Sequence, residues 1–141
     1  MNKIPRDLLS GWNIVVVDDE ADSLEVAEVI LEAYGATVHT AEDGNQGLAL
    51  IRSVMPDLVI SDISMPGMDG WGLIFALRRD EAVRSIPVIA LTAHAMPGDA
   101  QRAMDSGFNN YLTKPLTVET FMENLVNLLL AIPFLADMLN I

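Results

Sequence analysis

Three carboxylates, a hydroxyl and an ammonium stand at or just beyond the ends of short apolar runs in this sequence. Asp18 and Asp19 follow residues 14–17, Asp62 follows 58–60, Thr92 follows 86–91, and Lys114 comes shortly after Tyr111 and Leu112. If those runs are parallel strands of one sheet, their carboxyl ends share an edge, where open α/β sheets bind ligands. Two adjacent carboxylates beside a third repel one another in a partly dry crevice. A hard divalent cation with oxygen ligands, Mg2+ with retained waters, resolves that conflict. Asp62 can then act as a nucleophile toward phosphorus, with metal on one side, the Lys114 ammonium on the other and the Thr92 hydroxyl as a donor. Phosphoryl transfer asks mainly for such positioning and charge stabilisation.

The elements that must position these groups are legible in the hydrophobic period, which alternates between short continuous runs and helical stripes. Five strand–helix pairs result. Residues 14–17, almost all β-branched, suit a strand buried on both faces. A helix with Leu24, Ala27, Ile30, Leu31 and Tyr34 on one face follows, then a strand over 37–40. The turn at Asp43 and Gly44 opens a second helix striped by Leu48, Ile51 and Val54, in which Gly47 costs about 1 kcal/mol relative to alanine; Pro56 stops it. The third strand covers 58–62, and residues 64–70 are too rich in turn formers to be regular. A helix over about 71–79 follows, then a strand opened by Pro87. Pro97 suits the first turn of the fourth helix and Gly107 its end. The fifth strand covers 110–113, and the fifth helix starts near Thr117.

The chain of 141 residues is read as one domain, and with 51% hydrophobic residues it can bury a core. It has no cysteine, which excludes a disulfide framework, a thiol nucleophile and thiolate-held zinc. His39 and His94 are too far apart in the chain to suggest a histidine metal site. A net charge of -12 opposes polyanions, so no nucleic acid is expected as a partner. Arg78, Arg79 and Arg84 read as a solvated helix end favoured by the macrodipole. Neither a signal-type apolar segment nor a bilayer-length run is present, so no membrane association and a cytoplasmic location are expected. The C-terminal stripe of Val118, Phe121, Met122, Leu125, Leu128 and Ile132 is widened by Val126, Leu129 and Leu130. It continues beyond Pro133 in Phe134, Leu135, Met138 and Leu139. So broad an apolar surface predicts self-association or partner docking, with folding back onto its own domain as the alternative.

The acidic pair Asp18 and Asp19, the phrase Asp-Leu-Val-Ile-Ser-Asp at 57–62 with Met-Pro-Gly-Met-Asp-Gly at 65–70, Leu-Thr-Ala at 91–93 and Tyr-Leu-Thr-Lys-Pro at 111–115 together resemble the receiver domain of two-component response regulators. The match covers about residues 12–130. The resemblance implies a flavodoxin-like, doubly wound α/β fold: a five-stranded parallel sheet of order 2-1-3-4-5 flanked by five helices. It also implies a receiver domain over 12–132, with an N-terminal lead (1–11) and an apolar tail (133–141) on either side.

Carried over to this chain, the family pattern has Asp62 accept phosphate from a phosphohistidine on a histidine kinase or phosphotransfer protein. Asp19 would ligate Mg2+ directly, Asp18 directly or through water, and the Ser64 backbone carbonyl would join Asp62 in completing the protein ligands. Lys114 would pair with the phosphate, Thr92 would move to bond it, and Tyr111 would turn inward as the switch aromatic. Ala93 is small and leaves the phosphate reachable. Ser64 and His94 flank the path of an attacking water and are expected to set phosphate lifetime. The Lys114–Pro115 bond is expected to be cis. Phosphorylation would reshape the face of helix four, strand five and helix five, which is also the expected dimer face and the site for a downstream target. The expectation is therefore a switch, not an enzyme, and a free-standing one. The alternatives are a phosphorylation-independent adaptor or a module of a larger regulator or hybrid kinase. A phosphatase of the haloacid dehalogenase type would need an aspartate where Ser64 stands. A flavodoxin would need a glycine- and hydroxyl-rich loop where Asp18, Asp19 and Glu20 stand.

Overall fold

In the computed structural model, residues 4–65, 67–92, 99–114 and 116–139 are described. Among them the order is β1 (Asn13–Val17), α1 (Ala21–Ala33), β2 (Thr37–Ala41), α2 (Gly44–Val54), β3 (Leu58–Asp62), α3 (Gly70–Arg79), β4 (Val88–Thr92), α4 (Asp99–Ser106), β5 (Asn110–Thr113), α5 (Val118–Leu130) and α6 (Pro133–Ala136). The strands form one sheet in the order β2-β1-β3-β4-β5, parallel throughout. This is the doubly wound, flavodoxin-like architecture expected from the sequence, with one short helix added at the end.

The period of two along each strand divides the core in half. Ile14, Val16, Leu58, Ile60, Ile89, Leu91 and Leu112 pack on one side with α1 and α5 residues such as Leu31, Phe121 and Leu125. Val15, Val17, Val59, Val88 and Ala90 pack on the other with Ile51 of α2, Leu73 and Leu77 of α3 and Ala103 of α4. Covered on both faces, β3 is buried along its whole length. Local chemistry fixes the helix starts: the Asp43 carboxylate accepts from the Gln46 amide at 2.8 Å, and Asp69 accepts from that of Gly72 at 2.9 Å. Gly47 sits where α2 crosses β1; a Cβ there would lie 2.8 Å from Val17 Cγ2. Its helix-propensity cost thus accompanies a close approach that no larger residue permits.

One expectation is corrected. Arg78 is not a solvated helix-end charge, because the last turn of α3 aims it at the turn between α4 and β5. Its Nε and Nη2 donate to the Gly107 carbonyl at 3.0 and 2.8 Å, Nη1 donates to the Arg84 and Ile86 carbonyls at 2.9 and 2.7 Å, and Nη2 also donates to Asn109 Oδ1 at 3.0 Å. Arg79 and Arg84 are exposed, as expected.

Both ends of the chain join the α1/α5 half of the core. Leu8 and Leu9 of the lead and Trp12 just after it are buried there, as are Leu135 of α6 and Leu139 beyond it. The tail thus folds back, while Leu130, Phe134 and Met138 stay exposed. No helix among the described residues is long and apolar enough to cross a membrane.

Candidate functional site

Strand order reverses between β1 and β3, which is where an open sheet leaves its crevice. Asp18 comes directly after β1 and is fully buried; Asp62 is the last residue of β3 and nearly so. Lys114 follows β5, its backbone amide donating to the Thr92 carbonyl at 2.8 Å. From there its side chain crosses to both carboxylates.

Lys114 Nζ lies 2.6 Å from Glu20 Oε1, 2.9 Å from Asp18 Oδ2 and 3.1 Å from Asp62 Oδ2. It hydrogen-bonds Asp18 through Oδ1 at 3.1 Å, an oxygen that also accepts the Glu20 backbone N–H at 2.9 Å. Although Oδ2 is nearer to the ammonium, it is buried and takes no hydrogen bond, so its contact is electrostatic. Oxygens of Asp18, Glu20 and Asp62 all lie within 4.8 Å of one another.

One ammonium among three carboxylates leaves the crevice under-neutralised, and Asp62 registers it. Burial and the Asp18 charge push the Asp62 carboxyl up to about 6, against the opposing pull of Lys114. Burial pulls the Lys114 ammonium down, but hydrogen bonds to Glu20, Asp18 and Asp62 outweigh it and hold the group above the usual lysine range. Three carboxylates sharing one ammonium in an oxygen-lined crevice, with Asp18 Oδ2 taking no hydrogen bond, fit a hard cation. This cluster could therefore bind a metal.

The remaining expected residues are distributed around this centre. The Ser64 amide donates to Asp62 Oδ1 at 3.3 Å, while the residue itself is exposed. Thr92 ends β4, half-buried, in register with Thr113. Tyr111, on β5 opposite Ala90, packs half-buried against the α2–α4 half of the core. Asp19 is exposed and stands apart from the three clustered carboxylates. Ala93, His94, Pro97 and the Pro115 side of the Lys114–Pro115 bond lie outside the described residues. At the far end of the loop after β3, Gly70 donates to the Ile63 carbonyl at 2.8 Å, and a Cβ at Gly70 would strike the Asp62 carbonyl oxygen. That contact admits only glycine where α3 starts beside the acid. The sequence reading missed Glu20. The one available signal was a third acid immediately after the pair, which on its own reads as a solvated charge before a helix.

The model for the response regulator receiver domain matches residues 14–126. An uncharacterized 14.6 kDa protein of Leptolyngbya boryana is 43% identical over 108 residues, 77% of this chain and 82% of that protein. The sensor histidine kinase GacS of Pseudomonas protegens is 38% identical over 118 residues, 80% of this chain but only 13% of the kinase. Among solved structures, the chemotaxis protein CheY4 of Vibrio cholerae superposes with a TM-score of 0.77 at 29% identity, covering 83% of this chain and 98% of CheY4.

Proposed function

Because this chain belongs to the response regulator receiver domains of two-component signalling, we propose that it is a phosphoacceptor switch in which Asp62 takes a phosphoryl group from a phosphohistidine. The observation that carries this reading is the convergence on one lysine: Lys114 Nζ reaches Asp62 and Asp18, 52 and 96 positions away, at hydrogen-bond distance. In the transfer, an Asp62 oxygen bonds to phosphorus as the P–N bond breaks. The imidazole nitrogen keeps the electron pair and takes a proton from solvent.

Asp18, Asp19, Asp62 and the Ser64 carbonyl are the proposed Mg2+ ligands, with Glu20 in reach. When bound, Mg2+ would neutralise charge on the incoming phosphoryl oxygens. The chain's own residues do the rest. With a pKa of about 6, Asp62 is mainly the carboxylate at neutral pH and so nucleophilic. Lys114 holds one of its oxygens and the Ser64 amide the other, limiting rotation of the nucleophile. Thr92 and Tyr111, on neighbouring strands that end at the crevice, carry the change to the surface of α4, β5 and α5. There a downstream target or a second copy would bind. Phosphorylation would favour an active conformation already populated in its absence. Ser64, Ala93 and His94 would govern access to the phosphate and its lifetime. The role is that of a cytoplasmic switch rather than a turnover enzyme, with a histidine kinase or phosphotransfer protein as donor.

Incubation with Mg2+ and a small acyl phosphate, followed by intact-mass measurement and peptide mapping, tests the reading. One base-labile phosphoryl adduct on Asp62, lost in Asp62→Asn, is expected. Its absence would leave a phosphorylation-independent adaptor.

A further inference from the structure

The three acidic partners of Lys114 are not equivalent. An ammonium has three N–H donors, and here they meet Glu20, Asp18 and Asp62. None is left for a phosphoryl oxygen, so a phosphoryl group approaching Asp62, which is still a carboxylate at that point, can engage Lys114 only if one acid lets go. Asp18 and Asp62 are buried, and releasing either would strand a charge away from water. Glu20 differs: its side chain is 60% exposed although its bond to Lys114 is the shortest of the three. It can turn into solvent with its charge hydrated.

We infer that Glu20 is a releasable latch, a positioning residue that occupies Lys114 in the unphosphorylated protein and yields it when the phosphoryl group arrives. This rests on the phosphoacceptor reading above and goes beyond it, because it assigns a role to a residue outside the acidic pair. Glu20 caps α1 without a side-chain hydrogen bond to the helix, and its contact with Asp18 is made by its backbone amide. Substituting the side chain therefore removes the latch without removing a cap.

Two variants separate contact from mere charge. Glu20→Ala removes both the charge and the acceptor oxygen, whereas Glu20→Asp keeps the charge but is one methylene too short to hold the present contact. In the latch account both variants take phosphate from a small acyl phosphate at saturating Mg2+ about two- to fivefold faster than wild type, the scale of an exposed ion pair. Both also lose the slowly exchanging Lys114 ammonium signal in nitrogen-15 NMR of the Mg2+-free, unphosphorylated protein. Wild-type behaviour of Glu20→Asp in both measurements would overturn the latch in favour of simple repulsion. Slower phosphorylation of either variant, or an unchanged ammonium signal, would overturn it too. If wild type accepts no phosphoryl group, the phosphoacceptor reading fails by itself. The ammonium signal then decides whether Glu20 holds Lys114: loss in both variants supports the contact and retention overturns it.

Discussion

Two cations, Lys114 and Arg78, each gather three or more groups from distant parts of the chain, yet their surroundings are opposite in kind. Arg78 makes five hydrogen bonds to carbonyl and amide oxygens of four residues. All of its acceptors are neutral, and its donor fork is filled. Burial lowers the Arg78 pKa, but a guanidinium remains charged throughout the working range. Lys114 meets three anions that one charge cannot neutralise, and an Asp18 oxygen is left without a hydrogen bond. A satisfied hub holds a fold in place. An unsatisfied one is prepared to receive something positive and then something that brings its own negative oxygens.

If that distinction is right, breaking the satisfied hub costs the most stability. Arg78→Met takes the guanidinium from the Gly107 and Ile86 carbonyls and leaves Asn109 Oδ1 only the Val88 amide, and should lower unfolding free energy by about 2–4 kcal/mol in urea titration. Arg78→Lys should recover little of this, since an ammonium cannot reproduce the fork. A near-neutral Arg78→Met would remove the contrast. Lys114→Met should also destabilise the protein in Mg2+-free buffer, but less than Arg78→Met, because Asp62 can bind a proton in answer. Added Mg2+ should stabilise that variant more than wild type, because the cation then answers all three acids alone. Equal stabilisation of the two would argue against a shared charge deficit.

The opposite sign is expected at Asp62. Its folded-state pKa of about 6 lies above the ordinary 3.8, so between those values the folded state binds the proton more tightly. Its contribution to stability is therefore fullest below about pH 4 and declines as pH rises to 6. Asp62→Asn should raise the stability of the Mg2+-free protein at pH 7 by on the order of 1–2 kcal/mol and erase that slope. An unchanged slope would place the deficit elsewhere. The smallest effect belongs to the exposed Arg52–Asp80 pair at 2.8 Å. Arg52→Gln should leave the denaturation midpoint within error, marking an ion pair that neither holds the fold nor awaits a ligand.

The same contrast explains what was legible in the sequence. The strands and the site chemistry could be read because β-branched runs such as residues 14–17 mark buried strands, whereas their order was implied by the resemblance to receiver domains. Asp18, Asp62, Thr92 and Lys114 stand at run ends, where the topology brings them to one edge. Arg78 was misread because a helix-end arginine looks alike whether it meets water or the carbonyls of a turn 29 positions away. Glu20 was missed for a similar reason: its partner is 94 positions downstream, and nothing local distinguishes it from a solvated acid. The tail showed its apolar stripe but not its division, with Leu135 and Leu139 turned inward and Phe134 and Met138 outward. One-dimensional spacing across Pro133 does not fix which face the short α6 presents.

The charge deficit around Asp62 is measured most directly by carbon-13 NMR titration of its side-chain carboxyl in Mg2+-free protein. A midpoint near pH 6 is expected, falling when Mg2+ is added. An ordinary aspartate midpoint near 4, unmoved by Mg2+, would contradict it.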